Sequence, residues 1–174
     1  CDFNADGRLD LAAGAPLYED RRAETVRSNQ GGIFVYLGTE SGLESTPEIL
    51  LGKTFIDGRY ESVGNLRQGE LMNSLAAGDF TGDGTCDLVA GSIRYVGVGE
   101  ANTGQVTVYR GESSTDTTRG GLNPEPIMLI TETRTVVDGE AQLNGQFGRA
   151  LAMGDVNRDG KSDLIVSQIA GDVG

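Results

Sequence analysis

Apolar residues in this chain come in short runs, separated by polar stretches rich in Asp, Gly and Ser. Leu11-Ala12-Ala13-Gly14-Ala15-Pro16, Leu88-Val89-Ala90-Gly91 and Leu164-Ile165-Val166-Ser167 are such runs. Their length and, in the later two, their β-branched residues predict buried strands. Gly69–Gly78 and Gly145–Gly154 alternate small and apolar residues on a period close to two, and each predicts a strand leading into an acidic turn. Gly31–Gly38 and Gly104–Gly111 predict a further strand, apolar on both faces (Ile33, Val35 and Leu37 against Phe34 and Tyr36) and so packed on both sides. Pro47–Leu51 and Pro124–Ile130 predict a fourth, whose leading proline suits a sheet edge. Asp57–Gln68 and Glu132–Asn144 read as polar links, and no helical period is present.

Between the first two strands of each unit lies one recurrent nonapeptide. Oxygen-bearing side chains stand at its first, third, fifth and ninth places and glycine at its sixth: Asp2, Asn4, Asp6, Gly7, Asp10; Asp79, Thr81, Asp83, Gly84, Asp87; and Asp155, Asn157, Asp159, Gly160, Asp163. The loops begin 77 and 76 residues apart. An Asp/Gly surface turn needs only one or two such residues, and three in-phase copies with four each point instead to a calcium loop. Ca²⁺ takes roughly 6–8 oxygen ligands in flexible geometry, and the glycine permits the tight bend. The seventh residues, Arg8, Thr85 and Lys161, would contribute through their backbone carbonyls. An EF-hand begins in the same way but needs Glu at position twelve and a following helix. Here those positions are Ala13, Ala90 and Val166, each in a strand-like run. The expectation is up to three Ca²⁺ in loops that link strand to strand.

A four-stranded sheet that is apolar on both faces is not stable alone. Copies of it must cover one another, as the blades of a β-propeller do. The spacing therefore predicts an all-β chain of four-stranded antiparallel blades with calcium-binding hairpin loops, forming part of a propeller: 1–68 lacking its first strand, 69–144 complete, and 145–174 the first half of a third. Propellers have ~4–8 blades. The expectation is thus a piece of a longer chain, without an initiator Met, or a chain whose neighbouring blades come from other chains.

Composition narrows the function. Hydrophobic content of 37% and charged content of 23% are those of a folded domain. A net charge of −12 argues against nucleic acid, since phosphate binding wants a basic surface. No apolar run approaches the ~20 residues of a membrane span. The chain has no His, which removes the usual general base and any Ser-His-Asp or Cys-His arrangement. Gly31-Gly32 and Gly120-Gly121 are turn glycines and build no phosphate loop. Cys1 precedes the first loop and Cys86 lies within the second; a bridge between them is left open.

The repeated unit resembles the FG-GAP repeat, the blade of the integrin α-subunit propeller and related extracellular proteins. Phe147-Gly148 with Gly154-Asp155 supplies the first half of that pattern, and Gly14-Ala15-Pro16 the last. Leu71-Met72, Gly91-Ser92-Ile93 and Thr81 depart from it, and Thr81 weakens the second loop as a site. The resemblance implies a non-enzymatic, extracellular or cell-surface module for adhesion. Its calcium would be structural, and it would bind a protein or glycan through loops among Leu17–Gln30, Tyr95–Asn102 and Ser113–Asn123. The same repeats occur in glycosylphosphatidylinositol-specific phospholipase D, so an accessory propeller of a secreted hydrolase is the alternative.

Overall fold

The computed structural model describes residues 1–18, 31–51, 53–56, 59–62, 72–93, 104–115, 119–131 and 146–169. All regular structure in them is β, and no helix is long and apolar enough to cross a membrane. In chain order the strands are β1 (Leu11–Ala15), β2 (Gly32–Tyr36), β3 (Gly38–Thr39), β4 (Gly42–Leu43), β5 (Glu48–Leu51), β6 (Lys53–Ile56), β7 (Arg59–Ser62) and β8 (Ser74–Gly78). They continue with β9 (Asp87–Ser92), β10 (Gln105–Tyr109), β11 (Gly111–Glu112), β12 (Gly121–Leu122), β13 (Met128–Thr131), β14 (Leu151–Gly154) and β15 (Asp163–Val166).

The complete sheet has the order β13-β10-β9-β8, antiparallel throughout, with Gly78 opposite Asp87 and Tyr109 opposite Leu88. A three-stranded sheet, β1-β2-β5, precedes it, and the hairpin β14-β15 follows. The acidic loops join β8 to β9 and β14 to β15, as expected.

Alternation along β9 and β10 sends their side chains to two separate cores. Leu88, Ala90 and Tyr109 pack with Phe3, Ile33, Val35, Leu37, Leu50, Met72 and Leu122 against the first sheet. Val89, Val106 and Val108 pack with Phe80, Ile130, Phe147, Leu151, Met153, Leu164 and Val166 against the third. The middle sheet is thus covered on both faces, which its doubly apolar sequence demands.

Equivalent positions differ where no sheet of the described residues covers them. Leu88 is 1% exposed and its counterpart Leu11 is 47%; Val89 is fully buried and its counterpart Ile165 is 56% exposed. Leu88→Ala should therefore cost about 3 kcal/mol, within the range for a buried leucine, whereas Leu11→Ala should cost under about 1 kcal/mol. Urea denaturation of the two variants checks the difference.

Several boundaries differ from expectation. The strand predicted for Gly31–Gly38 breaks after Tyr36, and that for Gly104–Gly111 after Tyr109. The cause is capture of the next glycine amide: Gly38 N donates to Asp10 Oδ1 (2.7 Å) and Gly111 N to Asp87 Oδ1 (3.0 Å). The chain then forms the short hairpins β3-β4 and β11-β12. The strand leading to the third loop starts only at Leu151, because Gln146 and Gly148 have φ of 46° and 85°. Its counterpart starts at Ser74, after Met72 at φ 61°; Gly69–Leu71 lie outside the described residues. Met72 holds a conformation that costs a side chain roughly 1–2 kcal/mol, and its burial of ~1.5–3 kcal/mol offsets this. The segment 57–68, expected to be a polar link, contains β7, which pairs with β6.

Candidate metal loops

The three loops share one backbone. The sixth residues Gly7, Gly84 and Gly160 have φ of 84°, 87° and 87°. The fourth residues are left-handed too: Ala5 at 53°, Gly82 at 76° and Arg158 at 66°. That second reversal was not read from the sequence, because two of its three residues are not glycine.

These turns wrap each loop around its first carboxylate. Asp2 accepts from Asp6 N (3.2 Å) and Gly7 N (2.8 Å). Asp79 accepts from Gly82 N (2.6 Å), Asp83 N (3.0 Å) and Gly84 N (2.9 Å). Asp155 accepts from Asp159 N (3.1 Å) and Gly160 N (3.0 Å). The ninth carboxylates tie the start of each loop to its end. Asp10 accepts from Phe3 N (2.7 Å), Asp87 from Thr81 N (2.8 Å), and Asp163 from Val156 N (2.9 Å) and Asn157 N (3.3 Å).

Burial raises the Asp10 carboxyl above its usual range; the Gly38 and Phe3 amides oppose this, and Asp2 and Asp6 add to the rise. A carboxylate placed so is one that a cation would steady. Among the described residues, no group of three or more Asp, Glu, Cys or His side chains converges so as to hold an ion. The loops bring the expected residues into one turn, with their carboxylates engaged by amides. The chemistry of the donor set, carboxylate, amide and backbone oxygen, is that of a hard-cation site.

The fifth residues divide the loops. In the first and third, the competing donor is the loop's own amide: Asn4 Nδ2 to Asp6 Oδ2 (3.2 Å) and Asn157 Nδ2 to Asp159 Oδ2 (3.1 Å). Arg8 stands 3.6 Å from Asp6 and 3.4 Å from Glu40, dividing its charge between them. In the second, Arg110 donates from Nε (2.9 Å) and Nη2 (2.7 Å) to Asp83 Oδ2. Arg110 was not singled out in the sequence, although its counterpart beside the same glycine is Leu37.

Adjacent loops are joined in register. Cys86 N donates to Asp2 O (3.2 Å), and Ser162 N, at the same place in the next loop, to Asp79 O (2.7 Å). Cys1 and Cys86 form a disulfide there, with Cα atoms 6.0 Å apart, which resolves the pairing that composition left open. The matching pair in the next contact is Gly78 and Ser162, and a Cβ on Gly78 would lie 2.6 Å from Ser162 Oγ. Close approach recurs at Gly91, where a Cβ would overlap the Gly148 carbonyl.

A sheet–loop–sheet unit recurring in register is what a family model can test. The FG-GAP repeat matches residues 1–36, 73–109 and 147–173. The chain belongs to the FG-GAP repeat family. Its FG-GAP sheets are β-propeller blades. It is similar to integrin alpha-IIb of Mus musculus (32% identity over 95% of this chain and 14% of the relative) and integrin alpha-5 of Xenopus laevis (30%, 95% and 14%). It is also similar to phosphatidylinositol-glycan-specific phospholipase D of Mus musculus (29%, 95% and 17%). The chain thus spans a small part of each relative's length.

Proposed function

We propose that this chain is a non-catalytic, calcium-stabilised segment of an extracellular or cell-surface β-propeller, presenting loops to a protein or glycan partner in adhesion. The observation that carries this reading is the in-register joining of acidic loops within FG-GAP blades, in a chain similar to integrin alpha subunits. The blades divide as 1–68, 69–144 and 145–174. Exposed Leu11 and Ile165, whose counterparts are covered, favour further blades of the same propeller or of neighbouring chains beside them.

Calcium would sit in the first loop on Asp2, Asn4, Asp6, Asp10 and the Arg8 carbonyl. In the third it would take Asp155, Asn157, Asp159, Asp163 and the Lys161 carbonyl. When bound it neutralises carboxylates that otherwise repel one another and so stiffens the loop. Of the partner-contacting loops, Leu17, Tyr18, Ser113–Thr115 and Arg119–Asn123 are described; the others lie outside the described residues.

Similarity to the phospholipase D supports a second reading, an accessory propeller of a secreted hydrolase. Surface-immobilised chain distinguishes the two. It should capture cells or glycans in millimolar calcium and lose them in EGTA, whereas an accessory propeller should capture neither. No capture in calcium would contradict the adhesion reading.

A further inference from the structure

We infer that the second loop is closed by the Arg110 guanidinium instead of a metal ion, so that the chain takes up two calcium ions, not three. This rests on the calcium reading of the first and third loops. Asp83 Oδ1 accepts from Thr85 N (2.9 Å), and Oδ2, the oxygen left for a cation, already accepts two N–H bonds from Arg110 at 2.9 and 2.7 Å. A charge-assisted pair of this kind is about twice as strong as a neutral hydrogen bond. At the matching place the first loop has Leu37, which is buried in the core between the sheets.

Net charge alone does not separate the loops, since Arg8, Arg158 and Lys161 stand in the other two. Contact with the ligand oxygen does. Arg8 reaches Asp6 only at 3.6 Å while also facing Glu40, and Asp159 takes its side-chain bond from an uncharged amide. Lys161 of the third loop, meanwhile, runs its aliphatic stem against Gly82 and so brings a second cationic side chain beside the second loop.

The third position agrees. Where the other loops carry an amide side chain, the second carries Thr81, whose hydroxyl leans on the Asp83 carboxylate. Calcium affinity follows the number and charge of ligands. A loop that has exchanged an amide for a hydroxyl, and has one carboxylate held by arginine, falls behind the other two on both counts. The first carboxylate differs as well: Asp79 accepts from three amides, whereas Asp2 and Asp155 accept from two each.

Calcium counting by native mass spectrometry, with calorimetric titration alongside, tests this on the full chain. Wild type should hold two ions, Asp155→Asn one, and Asp79→Asn still two. Arg110→Leu, which installs the first sheet's residue, should hold three, with its third site at least about tenfold tighter than any residual binding at the second loop of wild type. Arg110→Gln keeps the stem without the charge and should give three as well, should the leucine variant fold poorly. Three ions in wild type, or two in both Arg110 variants, would overturn the inference while leaving the calcium reading intact. No ions in any of the proteins would overturn both.

Discussion

Reducing the Cys1–Cys86 disulfide should lower the stability of the chain by about 4 kcal/mol. The bridge spans 85 residues; closing a loop of that length removes ~4.6 kcal/mol of chain entropy from the unfolded state, and loss of a native bridge typically costs ~2–5 kcal/mol. For a domain of this size the loss converts to roughly 8–16 °C in melting temperature. The bridge adds to a contact that exists without it, since the unbridged Gly78–Ser162 pair keeps the same amide-to-carbonyl bond. Reduction should therefore loosen the first sheet and the Phe3 core more than the junction of β14-β15 with β8. Scanning calorimetry of the native and the Cys1→Ser/Cys86→Ser proteins, in the same calcium, measures it. A shift of less than about 2 °C would mean that the sheets hold together on packing alone.

Strand composition was legible wherever neighbouring residues decide it. The alternation over Leu88–Ala90 and Val106–Tyr109 follows from each strand's own sequence, and both strands are buried on both faces. The acidic loops were legible because one nonapeptide recurs, and the sixth-position glycines take the backbone their residue type favours. Features that depend on one repeat meeting another were not. Nothing within Gly31–Gly38 says that Asp10 will capture the Gly38 amide and end the strand. Ala5, Arg158 and Met72 adopt positive φ against their own preference, because a shared loop backbone or packing against the first sheet imposes it. The aligned pair Leu37 and Arg110 did hold a signal. A cation replacing a core leucine beside the loop's capping glycine marks the second loop as different, and Arg110 indeed turns to Asp83.

Whether divalent cations fasten the first and third loops is tested most directly by calorimetry with and without EGTA. A site saturated at 100 times its Kd stabilises the folded chain by ~2.7 kcal/mol. Two such sites give about 5 kcal/mol, or roughly 10–20 °C in this size range. The effect should return on adding excess calcium. It should also be halved in Asp155→Asn, where only the first loop remains competent. Calcium-loaded chain is predicted to melt at least about 10 °C above chain in EGTA. Superimposable melting curves in the two buffers would contradict the account.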